Sequence, residues 1–170
     1  MQEKAGVVVS VVMGSDSDLS VMEETVKVLD AFAIPHELYL TSAHRTPERT
    51  AQFARGAAER GVRVIIVGAG GAAHLAGVIA SQTLLPVIGM PIDATSLQGL
   101  DALLATVQMP GGIPVATMAI GKAGAKNAAL FAVRILALED VNLQKKLQDY
   151  VLKMAKDVER KHENLKCQSS

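Results

Sequence analysis

The sequence predicts a single α/β domain of three layers, a doubly wound parallel sheet with helices on both faces and one further helix at the C-terminus. Three observations carry that expectation. Short β-branched runs alternate with amphipathic or small-residue segments along nearly the whole chain. The stretches between them are short, which for parallel strands means right-handed helical crossovers. The 170 residues are 49% apolar yet only 3% aromatic, a composition suited to a core of Val, Ile, Leu and Ala. That length is enough to bury one sizeable core.

Val7–Met13 is a continuous apolar, mostly β-branched run, as expected of a strand covered on both faces. Asp18 is placed to cap the helix that follows, Leu19–Phe32, whose inner face would take Val21, Thr25, Val28 and Leu29. Glu37–Leu40 reads as a short second strand. Thr46, Pro47 and Glu48 supply an N-cap, an N1 proline and a first-turn acid for a helix ending at Gly61. Arg63–Val67 is the third strand and runs into Gly68-Ala69-Gly70-Gly71-Ala72-Ala73-His74, after which a small-residue helix leads to Leu85. Pro86–Met90 forms a fourth strand, Gly99–Val107 a helix and Ile113–Thr117 a fifth strand.

Ala123–Leu138 carries only Lys126 and Arg134 as charges, so it is expected to be buried nearly all round. A charged amphipathic helix runs from Val141 to about Lys161, and residues 162–170 are expected to fray. There are no repeats, linkers or low-complexity blocks, so 1–170 reads as one catalytic domain. By analogy its strand order is flavodoxin-like. In such sheets ligands bind beyond the carboxyl ends of the strands, where the strand order reverses. The polar and glycine-rich loops fall at those ends.

Charge and cysteine usage narrow the function classes. Lys+Arg and Asp+Glu number 17 each, so no global field recruits nucleic acid or an anionic membrane. The one cysteine, Cys167, has no partner for an intrachain disulfide, which fits a reducing cytoplasm. Val7–Met13 is too short for a signal-peptide core and is followed by Gly14-Ser15-Asp16-Ser17-Asp18 instead of a cleavage site. No apolar stretch is long enough to span a bilayer. A cytoplasmic, soluble protein is expected.

Three loops carry chemistry. In Gly14–Asp18, glycine lets the backbone turn, hydroxyls and helix-start amides bind phosphate oxygens, and a carboxylate accepts from ribose hydroxyls; the alternative is a plain helix cap. In Ser42–Pro47, Arg45 offers a fork of donors suited to phosphate, and His44 beside it is a proton carrier of the type that works near neutral pH. The third loop, Gly68 to His74, partly matches a dinucleotide fingerprint through Gly68, Gly70 and Ala73, with Asp93 about twenty residues on. That reading fails because the fingerprint belongs on the first strand and no substrate domain remains. Asp93 is more simply a turn residue. Small residues here let the backbone press close to a small ligand. His74 either caps a helix or faces the ligand, whereas His36 and His162 read as structural or surface residues. No Cys/His/Asp cluster has metal-ligand spacing, and no metal is implied.

Taken together these loops resemble the 5-(carboxyamino)imidazole ribonucleotide mutase family. The matching stretches are Gly14–Asp18, Ser42–Pro47, Gly68–Leu75, Leu85–Pro91, Gln108–Thr117 and Ala119–Leu130, in order and over most of the chain. The pairing of Ser-Ala-His-Arg-Thr-Pro with Gly-Ala-Gly-Gly-Ala-Ala-His-Leu is the specific part. The resemblance implies that Ser15, Asp18 and Arg45 bind a ribonucleotide and that His44 is the acid/base. It implies that Ser42, the Gly70-Gly71 backbone and His74 line a carboxylate pocket, that no cofactor is needed, and that the chain forms a homo-octamer. Leu19 stands where an aromatic is common, Ala76 where proline is common, and Ser81-Gln82 where small and aromatic residues are usual.

Three rivals are weaker. A sister enzyme that carboxylates aminoimidazole ribonucleotide directly is marked by lysine after the histidine, where this chain has Arg45, and lacks the third-loop pattern. A phospho-signalling receiver needs aspartate at the end of the third strand, where this chain has glycine. A nucleotide-binding regulator without catalysis would share the loops but show no turnover.

Overall fold

Five strands, β1 (Val9–Met13), β2 (His36–Leu40), β3 (Val64–Gly70), β4 (Val87–Ile92) and β5 (Ala116–Thr117), build the sheet in a computed structural model that describes residues 6–168. They pair in parallel in the order β2-β1-β3-β4-β5, the flavodoxin-like order. The chain leaves β1 toward β2 on one side and reaches β3 on the other. The strand order therefore reverses between β1 and β3, which opens a crevice at their carboxyl ends.

Burial follows the apolar runs. Every residue of β1 and β4 is buried, as are six of the seven in β3, whereas the edge strand β2 is half exposed. Val9, Val11, Val12, Ile65 and Ile66 are fully buried. Side chains of this kind each contribute about 1.5–3 kcal/mol when removed from water. The helices are α1 (Leu19–Ala31), α2 (Pro47–Gly56), α3 (Leu75–Ala80), α4 (Leu100–Val107), α5 (Gly121–Leu136) and α6 (Val141–Gln168). Among the described residues no helix is long and apolar enough to cross a membrane.

Several boundaries differ from the sequence expectation, each for a local reason. β3 continues through Gly68 to Gly70, because Gly68 pairs with Met90 and Gly70 with Ile92. Three of the seven residues of the expected glycine loop are therefore strand. Its glycines are required by close approach: a Cβ on Gly68 would collide with the Met22 thioether, and one on Gly70 with the Ala94 methyl. α3 stops at Ala80 instead of Leu85, since Pro86 disfavours helical backbone just before it and Thr83 Oγ1 accepts from Leu85 N. α2 ends at Gly56 and turns into Gly61, whose φ is +92°. β5 is only two residues long, because Pro114 upstream cannot donate to the ladder. His36 is the first residue of β2, not its neighbour, and its Nδ1 lies 2.9 Å from the Ile34 carbonyl.

The helices bring corrections too. α1 turns Met22 inward in place of Val21, beside Thr25, Val28 and Leu29. α5 is buried on one face only, through Ala125, Ala128, Ala129 and Ala132, while Ala123, Lys126, Asn127 and Phe131 are exposed. The expectation of burial all round is not met within one chain. α6 begins where Asp140 Oδ1 accepts from the amides of Asn142 and Leu143, and it stays helical to Gln168. The segment 162–168, expected to fray, is thus helical, and the last two residues lie outside the described residues.

The described residues fall into two compact units, 6–132 and 133–168. The first contains the whole sheet and all eight candidate site residues.

Candidate active site

The loop after β1 closes on itself. Ser15 caps a short 3₁₀ turn, Asp16–Asp18, with its hydroxyl accepting from Ser17 N. Asp18 Oδ2 in return accepts from Ser15 N at 3.0 Å. This reciprocal box satisfies backbone donors at both ends of the turn. Asp18 therefore makes no cap bond to α1, the role its position suggested. The carboxyl is buried, which pushes its pKa up; the amides of Ser15 and Gly14 pull it back, and the charge of Asp16 adds to the rise.

The loop after β2 is a second closed turn. Thr46 Oγ1 accepts from Ser42 N at 3.0 Å, and Ser42 Oγ accepts from Arg45 N at 3.2 Å. Thr46 occupies the N-cap position of α2, yet its side chain serves the loop and not the helix, while Pro47 takes N1 as expected. The exposed Arg45 reaches across to the first loop, where its Nη2 donates to the Gly14 carbonyl at 3.2 Å. One bond leaves most of the guanidinium donors available to a ligand.

The loop after β3 brings Gly71 into the left-handed region, φ +59°, and sets His74 at the N-cap of α3. The His74 side chain makes no cap bond. Its Nδ1 lies 2.8 Å from His44 Nε2 instead, joining the second loop to the third. Both histidines are exposed.

A cavity of about 350 Å³ opens where the three loops meet, and Ser15, Asp18, Ser42, His44, Arg45 and Gly70 are in its wall. Six of the eight candidates thus share one space. Gly71 and His74 are not in the wall; His74 meets the site only through the His44 ring. Leu75 and Ala94 also line the cavity. Neither residue type has a chemical signature that could mark it in a sequence, and Ala94 comes from the otherwise unremarked loop after β4. A neighbouring hollow of about 420 Å³ shares Gly14, Ser15, Ser42 and Arg45 and adds Thr46 and Arg49. A larger hollow of about 620 Å³, with Arg55, Gln82 and Leu84 in its wall, holds none of the candidates. Position at the strand-order reversal and convergent polar groups outweigh size, so the first cavity is the candidate site. Among the described residues no group of three or more His, Cys, Asp or Glu side chains is arranged to hold a metal ion.

The arrangement offers hydroxyl and guanidinium donors for an anion, a buried carboxylate that accepts from hydroxyls, and an imidazole beside a floor of small residues. Such a fold and site define a class of α/β proteins that take a small anionic ligand at a strand-end crevice and present it with a proton carrier. Residues 8–157 match the model of the AIR carboxylase family, and the chain belongs to that family. It is 55% identical over 157 residues to the N5-carboxyaminoimidazole ribonucleotide mutase of Pyrococcus horikoshii, a match covering 92% of this chain and 88% of that protein. The protein of that name from Escherichia coli K12 is 51% identical over 142 residues, 84% of each chain. The crystal structure of PurE from Treponema denticola superposes with a TM-score of 0.81 at 28% identity, covering 90% of this chain and 94% of that one.

Proposed function

We propose that the chain is a 5-(carboxyamino)imidazole ribonucleotide mutase, which moves a carboxylate from the exocyclic nitrogen of its substrate to the adjacent ring carbon in purine biosynthesis. What carries the reading is the gathering of His44, Arg45, Ser15 and Asp18 around one cavity, in a chain more than half identical to a protein named for that activity. Ser15 and Arg45 hold the phosphate, and Asp18 accepts from the ribose hydroxyls. Ser42 and the Gly70-Gly71 backbone belong to the carboxylate side, which His74 reaches only through the His44 ring.

Catalysis follows from these roles. The carbamate C–N bond breaks, carbon dioxide departs, and protonated His44 gives its proton to the nitrogen. The resulting aminoimidazole is nucleophilic at its ring carbon, like an enamine. That carbon attacks the retained carbon dioxide, and His44 takes back the ring proton, so acid and base are one group and the proton count closes. Such proton transfer is commonly worth about 10²–10⁴-fold, and retention of both fragments adds a proximity term. The reaction as written calls for no cofactor. The reading also places the protein in the cytoplasm as a homo-octamer, with Gln108–Pro114 completing a neighbouring subunit's site.

The test is turnover by the purified chain with no additives, alongside His44→Asn. Asparagine keeps a polar side chain but cannot cycle a proton, so the variant is expected to stay folded, keep much of its ligand affinity, and lose turnover by about 10²–10⁴-fold. Near-wild-type turnover in the variant would overturn the assignment of His44. Rapid net carboxylation of aminoimidazole ribonucleotide at low carbon dioxide would point to the sister carboxylase.

A further inference from the structure

His44 and His74 lie 30 residues apart and come from loops after different strands, yet their rings meet edge-on at 82° with centroids 5.0 Å apart. Nε2 of one and Nδ1 of the other are 2.8 Å apart, so one nitrogen carries a proton that the other receives. His44 makes no other side-chain hydrogen bond among the described residues. His74 stands at the N-cap of α3 without capping it, so its position in the helix does not account for its side chain.

We propose that His74 is a positioning residue, holding the His44 ring through Nε2 so that Nδ1 is the nitrogen left to exchange a proton with the ligand. The use made of that proton rests on the mutase reading; the pairing itself does not. A neutral imidazole has two tautomers, and the bond made by one nitrogen decides what the other offers. With three ring protons on the pair, one sits on His44 Nδ1, one between the rings and one on His74 Nε2. Release of the Nδ1 proton leaves the pair neutral, with His44 Nδ1 bare and able to take a proton back. The shared proton stays between the rings throughout, so His44 passes from acid to base without turning. Two charged groups share the cavity with His44, the Asp18 carboxyl and the Arg45 guanidinium.

The proposal is tested with two variants of the full chain. His74→Leu keeps much of the bulk and removes the nitrogen. His74→Asn places an amide close to where Nδ1 lies, able to donate or accept but not to titrate. In the ligand-free protein, ¹⁵N spectra of the His44 ring are expected to show one dominant tautomer in wild type, a mixture in His74→Leu, and recovery in His74→Asn. In turnover, His74→Leu should lower kcat by about 10–100-fold with KM little changed, short of the full loss on removing the proton carrier itself, and His74→Asn should regain most of it. The pH profile of kcat should shift in His74→Leu. An unchanged His44 ring spectrum in His74→Leu would overturn the pairing. Equal loss in both variants would overturn the positioning role, because it would mean that the His74 ring touches the ligand itself. An inactive wild type with the expected spectra would sink the mutase reading alone.

Discussion

Asp18 is held out of water by the loop that it helps to close. Its carboxyl lies above the ordinary aspartate range because burial penalises the charge more than the Ser15 and Gly14 amides reward it. The folded protein therefore binds this proton more tightly than the unfolded chain does. In the window just above the ordinary aspartate value, the folded state holds more protons, so stability falls as pH rises through it. The contribution is fully present below the unfolded value and lost above the folded one. Asp18→Asn removes the titration while its side-chain oxygen still accepts from Ser15 N. The variant should gain stability relative to wild type between pH 4 and pH 7, read as the difference in urea midpoints. A difference that does not change with pH would contradict the assigned cause.

At the scale of elements, β3 joins fold and site. Its first residues, Val64–Val67, are a buried β-branched run, and its last, Gly68-Ala69-Gly70, carry the strand to the cavity with no side chain larger than a methyl. The absence of a Cβ serves packing at Gly68, where Met22 from α1 and Ile92 from β4 press in, and cavity shape at Gly70, beside Ala94. Gly68→Ala should destabilise the protein by about 1–3 kcal/mol, the usual cost of overpacking a well-filled core. Gly6→Ala is the control, since a Cβ there meets nothing within 4 Å and its effect should stay within about 0.5 kcal/mol. Chemical denaturation of both variants separates these outcomes. Equal midpoints would mean that the Met22 side chain yields without cost. The strand's type was legible from its β-branching, but its length was not, because glycine reads as a loop until a neighbouring strand pairs with it.

For the whole molecule, the sheet order gathers residues scattered between Ser15 and His74 at one end of β1, β2 and β3. Elsewhere the chain leaves apolar side chains in water. Leu97, Leu100, Leu104 and Val107, on α4 and just before it, are 48–59% exposed, and Leu38 and Leu40 on the edge strand β2 are nearly as open. Apolar side chains left this open, on α4 at one side of the sheet and on β2 at its opposite edge, mark surfaces for protein–protein contact. Sedimentation of the purified chain should give a mass several times 17.9 kDa, with a homo-octamer the expected species. A stable and active monomer would defeat that assembly. The half-exposed α5 belongs to the same account: its alanine face is satisfied within the chain, but Phe131 on the other side is not.

The sequence by itself determined the class of fold, the order of its elements and the chemical inventory of the site. β-branched runs, the N1 proline and the glycine-rich turns act through the nearest few residues, and a linear pattern records that range faithfully. Ser15, Asp18, Ser42, His44, Arg45 and Gly70 were legible because donors, a carboxylate, an imidazole and a bare backbone stood at strand ends in a recognisable arrangement. Only the tertiary structure decided where β3 stops, that Asp18 closes its own turn instead of capping α1, that Thr46 serves its loop, and that α5 buries a single face. It also decided that His74 spends its side chain on His44 and not on α3. Asp18 and Thr46 bond within three or four residues, where the linear pattern offers one side chain several partners. The end of β3 and the contact of His74 with His44 depend on groups that the chain brings together only after the strands have paired.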